Sequence, residues 1–104
     1  MQIWLNDGLV TAASAGVALD GWPDGEGIFE TIKTENGEIF ELGRHMRRAI
    51  DAAAQKNIKL PDEDLIRVAI SKLLAAEPHT VGRLRLLFSG GRFVAVHQLY
   101  EDIT

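Results

Sequence analysis

A chain of 104 residues has room for one ordinary domain and no more. Hydrophobic residues make up 46% and charged residues 25%, the balance of a globular protein, which disfavours disorder, collagen and a coiled coil. Eleven Lys and Arg against fifteen Asp and Glu leave a net charge of −4, the wrong sign for a protein that works by gripping nucleic-acid phosphates. There is no cysteine, so disulfides and thiolate metal sites are excluded and a reducing cytoplasm is compatible. The opening MQIWLNDGLV lacks a basic region followed by an apolar run, and no window approaches the ~18 uninterrupted apolar residues of a spanning helix. The expectation is a cytoplasmic chain with neither nucleic acid nor membrane as partner.

In chain order, Ile3-Trp4-Leu5 and Leu9-Val10 flank Asn6-Asp7-Gly8, a spacing that predicts a β-hairpin with the glycine supplying positive φ. Asp20-Gly21-Trp22-Pro23-Asp24-Gly25-Glu26-Gly27 is dense in turn formers. Gly27 to Thr34 and Glu38 to Leu42 read as strands joined across Glu35-Asn36-Gly37, where Asn-Gly is a strong hairpin signal. From Arg44 to about Asn57, Met46, Ala49, Ile50, Ala53 and Ala54 recur at helical spacing. Asp62 can cap a second helix whose stripe is Leu65, Ile66, Ala69, Ile70, Leu73 and Leu74, with Pro78 beyond its end. Strands return over Arg83 to Phe88 and Phe93 to Gln98, joined through Gly90-Gly91.

Hairpins, two helices and then a further hairpin predict an α+β domain: an antiparallel sheet with both helices packed on one face. The opposite face should be polar if the chain stands alone.

Few residues carry chemistry by themselves. His45, His79 and His97 stand far apart and form no zinc-type spacing, so no metal centre is expected. Ser14, Ser71 and Ser89 lack the strained turn of a hydrolase nucleophile. Gly25-Glu26-Gly27 is similar to a phosphate loop but leads into a strand, without the helix N-terminus such loops exploit, and reads as a turn. Glu26, Glu30, Glu35, Glu38 and Glu41 are scattered over a hairpin and are expected to be mostly solvated. His45 and Arg48, three residues apart, share neighbouring surface near the start of the first helix. An arginine there can hold a phosphate bidentately; the plainer alternative is an exposed helix with a basic first turn. Arg83 and Arg85 alternate with Leu84 and Leu86 and so point to one side of a strand. They either meet an anionic partner or form cross-strand pairs with Glu30 or Glu38.

The order of motifs says more than any of them alone. IWLNDGLV, a Gly-rich turn into GEGIFETIKTENGEIFEL, then RHMRRAIDAAA, and later GRLRLLFSGG together resemble the N-terminal small domain of the class IV, fold-type IV, pyridoxal-phosphate aminotransferases. That family includes branched-chain and D-amino-acid aminotransferases and aminodeoxychorismate lyase. The resemblance runs over nearly the whole chain, and G-x-G-[IV]-F-E-T-I followed by H-x-x-R is its specific part. It implies that Arg48 grips the phosphate of pyridoxal 5'-phosphate. It also implies that Phe29, Lys33 and Arg85 line the pocket for an amino-acid or 2-oxo-acid substrate, with Lys33 or Arg85 receiving the substrate carboxylate.

The same resemblance assigns the Schiff-base lysine and the acid facing the pyridine nitrogen to a following, larger domain. Lys33, Lys56, Lys59 and Lys72 match no such position, so these residues alone are expected to be inactive in transamination and to work in a homodimer of the full enzyme. The family's Asp-Arg-Gly before the Gly-rich turn is represented only by Asp20-Gly21, and the loop after Gly91 is short for the extra basic groups of D-amino-acid enzymes. D-amino-acid specificity is therefore the least expected. Two alternatives stand beside the aminotransferase: the small domain of an aminodeoxychorismate lyase, and a binding or dimerisation module with the same fold and no catalysis.

Overall fold

The computed structural model describes residues 1–15, 27–89 and 91–100. The first hairpin forms as expected in place but not in its turn. Strands β1 (Gln2–Leu5) and β2 (Gly8–Thr11) pair antiparallel with Leu5 opposite Gly8, and Asn6 rather than Gly8 takes the left-handed backbone, at φ 57°. Asparagine tolerates that conformation, and here it is locked from outside the hairpin. The Asn6 N–H donates to the Phe93 carbonyl at 2.8 Å, while its Oδ1 accepts the Phe93 N–H at 2.9 Å. A single turn of helix, α1 (Ala12–Ala15), follows, its Ser14 N–H held by the Thr11 hydroxyl at 3.2 Å. The turn expected from Asp20 lies outside the described residues, apart from Gly27.

The Asn36-Gly37 turn has both central residues at positive φ, 51° and 81°, the geometry that matches the twist of the strands it joins. Strand β3 (Ile28–Glu35) is long, but β4 (Glu38–Ile39) is two residues where five were expected over Glu38 to Leu42. Phe40 N–H still bonds to Lys33, and then Glu41, at φ 53°, reverses the chain so that α2 (Leu42–Lys56) starts two residues earlier than the periodicity implied. Asn57, also left-handed at φ 57°, ends it with its N–H on the Ala53 carbonyl. Helix α3 (Glu63–Ala76) begins after Asp62, whose side chain makes no capping bond; Glu63 and Asp64 in the first turn complement the helix dipole instead.

Strands β5 (Val81–Ser89) and β6 (Arg92–Leu99) complete a six-stranded sheet of order β2-β1-β6-β5-β3-β4, with antiparallel pairing throughout. The fold is the expected α+β arrangement. Met46, Ala49 and Ala53 from α2 and Ile66, Ala69, Ile70 and Leu73 from α3 pack on Trp4, Ile32, Leu84, Leu86, Phe88 and Ala95 of one sheet face. The buried stripes are narrower than the sequence pattern: Ile50 is 47% exposed and Leu65 38%. The opposite face is not uniformly polar. Ile3, Leu87, Val94 and Val96 form a second apolar cluster there with Ala12 of α1, whereas β3 and the start of β5 carry polar and charged residues on that side. No helix among the described residues is long and apolar enough to cross a membrane.

Candidate functional site

Strict alternation along β3 divides the candidate residues between the two sheet faces. Ile28, Glu30, Ile32 and Thr34 are buried toward the helices, and Phe29, Thr31, Lys33 and Glu35 face out. Beyond Ile39 no strand pairs with the outer edge of β3 among the described residues, because β4 covers only Thr34 and Glu35. Helix α2 runs along that open edge. Between them lies a groove of roughly 290 Å3, lined by Gly27, Ile28, Phe29, Glu30, Arg48, Ala52 and Lys56.

Arg48, Ala52 and Lys56 recur every four residues and therefore stand on one stripe of α2, with the small alanine between two cations. The Arg48 side chain is 66% exposed at the lip of the groove. Lys56 Nζ donates to the Gly27 carbonyl at 3.1 Å and ties the end of the helix to the start of β3. Gly27 is required where it stands, since a Cβ there would come within 2.9 Å of the Phe88 carbonyl.

Glu30 is the residue that sequence reasoning missed. Expected to be solvated, it is 7% exposed and points from β3 toward α2. His45 Nδ1 lies 2.7 Å from its Oε1, and a carboxylate only accepts, so this nitrogen carries the proton and donates. The same oxygen stands 4.0 Å from Arg48 Nε. His45 and Arg48, one turn apart, thus converge on one buried carboxylate, and Nε is the atom turned to it. The legible signal was the alternation that puts Glu30 on the same face as Ile28 and Ile32.

Phe29, Lys33 and Arg85 are brought together on the other face. Phe29 and Lys33 flank Thr31 on β3, and Thr31 is directly opposite Arg85 on β5. Lys33 Nζ sits 5.8 Å from the Phe40 ring centre and 5.9 Å from that of Tyr100, within range of cation–π attraction. Partial burial, and secondly the neighbouring charge of Arg83, pull Arg85 below the ordinary arginine value, where it remains a cation at neutral pH. The cross-strand pair of Arg85 with Glu30 is not formed: Glu30 is turned through the sheet to His45. Arg48 and the outer trio therefore lie on different sides of β3, and Phe29, which also lines the groove, is where the two regions meet.

A second polar cluster lies at the far end of the sheet. His97, 1% exposed, donates from Nδ1 to the Glu77 carbonyl at 2.7 Å, so Nε2 is left to accept from the Thr34 hydroxyl, also at 2.7 Å. Burial, the largest influence, holds its protonation below the ordinary histidine value; the Glu77 carbonyl opposes that and His79, with its ring 5.0 Å away, adds to it. Gly82 opposite Thr34 makes the room, because a Cβ at that position would overlap the His97 ring. These contacts are all spent within the protein and serve the fold.

Comparison with known proteins bears on the groove and its strand. The family model described as amino-transferase class IV matches residues 27–99. D-alanine aminotransferase of Listeria innocua is 28% identical over 94 residues, which cover 88% of this chain and 32% of that protein. The chain therefore spans about a third of the length of the curated relatives it matches. Among solved structures, the branched-chain amino acid aminotransferase of Escherichia coli superposes with a TM-score of 0.76 at 17% identity, over 97% of this chain and 40% of that one. A hypothetical aminotransferase from Mycobacterium tuberculosis, in its PLP-bound form, gives 0.67 at 20% identity, over 97% and 40%. At these identities the structures show a shared fold. The β5–β6 connection is as short as the sequence implied, running from Ser89 to Arg92.

Proposed function

This chain belongs to the class IV amino-transferase family, and on that premise we propose that it is the small domain of a pyridoxal-phosphate-dependent aminotransferase. The observation that carries the reading is Arg48: an exposed guanidinium at the lip of a groove, with Nε 4.0 Å from a buried carboxylate, within ion-pair range. The groove fits a phosphate monoester by the chemistry of its donors. Contact through Nε leaves the two terminal nitrogens, with four of the five N–H donors, for a bidentate grip on phosphate oxygens. Pyridoxal phosphate, when bound, supplies an electron sink for the substrate carbon that loses its proton.

The chain's own residues bind and orient. Arg48 holds the phosphate, Phe29 closes the groove toward the outer sheet face, and Lys33 or Arg85 receives the carboxylate of an amino-acid or 2-oxo-acid substrate. Lys33, within cation–π range of Phe40 and Tyr100, and Arg85, a cation at neutral pH despite burial and the neighbouring charge of Arg83, offer such a carboxylate two cations on one face of the sheet. The lysine that anchors the cofactor belongs, in this reading, to a larger domain that packs on these residues. Phe29, 41% exposed, and Tyr100, 38% exposed, are apolar surface for that domain or a second copy in a homodimer to cover. A chain without cysteine suits the cytoplasm, the compartment we assign.

The test is cofactor titration of the natural polypeptide that carries these residues, followed by pyridoxal-phosphate absorbance. Loss of a charge-assisted contact worth about 1.5–3 kcal/mol lowers the affinity of Arg48→Ala roughly ten- to a hundredfold. Unchanged affinity would remove Arg48 from the site. Product analysis with amino-acid donors and 2-oxo-acid acceptors then separates transamination from lyase chemistry.

A further inference from the structure

We propose that Glu30 is the positioning residue for the cofactor-phosphate arginine: its buried carboxylate, locked by His45, fixes the Arg48 guanidinium at the groove. The inference rests on the assignment of Arg48 to the phosphate and goes beyond it, because it concerns an acid that cannot itself grip an anion and acts through the arginine.

The reasoning starts from cost. A carboxylate on a strand face packed under a helix is desolvated, and such a group persists only where donors satisfy it. Glu30 has one hydrogen-bond donor, His45 Nδ1 at 2.7 Å on Oε1, and beside it the charge of Arg48, whose Nε stands 4.0 Å from the same oxygen, beyond hydrogen-bond distance but within ion-pair range. The His45 contact is short and three-quarters or more buried on each side, with side-chain exposures of 19% and 6%. It fixes the carboxylate. The arginine contact is longer and at the surface, with the guanidinium 66% exposed. A long, exposed side chain in that position carries rotamer entropy, which a phosphate must otherwise overcome on binding. Glu30 removes part of that freedom in advance by drawing Nε toward Oε1, which leaves the two terminal nitrogens for the phosphate.

A positioning carboxylate has an electrostatic drawback, and that drawback makes the proposal testable. A negative charge beside an anion site weakens anion binding by simple Coulomb repulsion. If Glu30 acted by charge alone, deleting it would tighten phosphate binding. If it positions Arg48, deleting it loosens phosphate binding in spite of the charge removed. The sign of the effect separates the two.

The experiment is titration of pyridoxal phosphate, and in parallel of pyridoxal without its phosphate, on the natural polypeptide. Glu30→Ala is expected to lower affinity for pyridoxal phosphate about tenfold, the lower end of what supporting residues around a bound ion contribute. Affinity for pyridoxal stays unchanged. Glu30→Gln, which keeps an acceptor oxygen, recovers most of the loss. In an Arg48→Ala background Glu30→Ala has no further effect, since it acts only through the guanidinium. A rise in phosphate-dependent affinity, an equal loss for both ligands, or an additive loss in the double variant each overturns the proposal. If Arg48→Ala alone changes nothing, the assignment of Arg48 fails first, and the two failures are distinct. Should Glu30→Ala not fold, His45→Ala on the half-buried helix position decides. It frees the carboxylate and lowers phosphate-dependent affinity several-fold, and no loss there overturns the proposal.

Discussion

Gly82 is the position where the smallest change should cost most. It lies in β5 on the helical side of the sheet, opposite Thr34 on one neighbour and Leu99 on the other. A Cβ added there meets Thr34 Oγ1 at 2.5 Å and overlaps His97 Nε2, and both are backed by buried structure. The methyl group of Gly82→Ala therefore forces apart the 2.7 Å hydrogen bond between them. Leaving that buried pair unmade costs about 1–3 kcal/mol. Displacing packed neighbours costs about 1–3 kcal/mol more. Reduced freedom of the unfolded chain returns about 0.4–1 kcal/mol. The net loss is about 3 kcal/mol, read as a drop of roughly 1.5 M in the urea midpoint at a slope near 2 kcal/mol/M. The decisive comparison is the same substitution in a His97→Ala background, where the ring is gone and the Thr34 hydroxyl, released from Nε2, can rotate into the space it leaves and clear the methyl group. There the added cost falls below about 1 kcal/mol, a coupling characteristic of residues in contact. Equal costs in the two backgrounds would refute the steric account.

The remaining predictions concern charge, core and turns. Burial lowers the folded-state protonation of His97, so below its ordinary value of about 6.5 the unfolded chain binds more protons and acid costs stability. The urea midpoint should fall between pH 7.5 and 5, and that fall should flatten in His97→Gln; a midpoint indifferent to pH in the natural chain would contradict it. Leu73→Ala, fully buried under α3, should cost about 2–5 kcal/mol by thermal or urea unfolding, whereas Leu65→Ala, 38% exposed on the same helix, should cost far less. Equal costs would show that the helix faces are misassigned. Glu41→Gly should stabilise by about 0.5 kcal/mol, because the left-handed backbone at φ 53° strains a glutamate and the exposed contact to Arg44 contributes little. A loss of stability there would mean that the Glu41 side chain does more than its exposed geometry shows.

Much of this architecture was legible because its signals are local. Asn36-Gly37 dictates its turn through two positive φ angles, Met46, Ala49 and Ala53 declare a helical face by spacing, and alternation in GIFETIKT sorts Phe29 and Lys33 from Glu30. The motif order IFETIKT followed by H-x-x-R also pointed to the family before any coordinate, since it couples a strand to the helix that follows it. The polarity of a residue by itself says less. A glutamate in a hairpin is usually solvated, yet Glu30 is 7% exposed because the strand's alternation turns it under α2. Ile50 and Leu65 continue apolar stripes but are exposed, since a helix packed on a sheet buries less of its circumference than such a stripe covers.

The long strands and the two long helices, the second hairpin's turn and the alternation along β3 were determined by the amino-acid sequence alone, because they follow from backbone sterics and periodicity over a few neighbours. The convergence of His45 and Arg48 on Glu30, the closure of Thr34, Gly82 and His97, and the separation of Arg48 from Lys33 and Arg85 by the thickness of a sheet were decided only in three dimensions. Each joins residues from different elements, from 15 residues apart for Glu30 and His45 to 63 for Thr34 and His97. The distance between such groups is set by how sheet and helices pack, which no short-range pattern encodes.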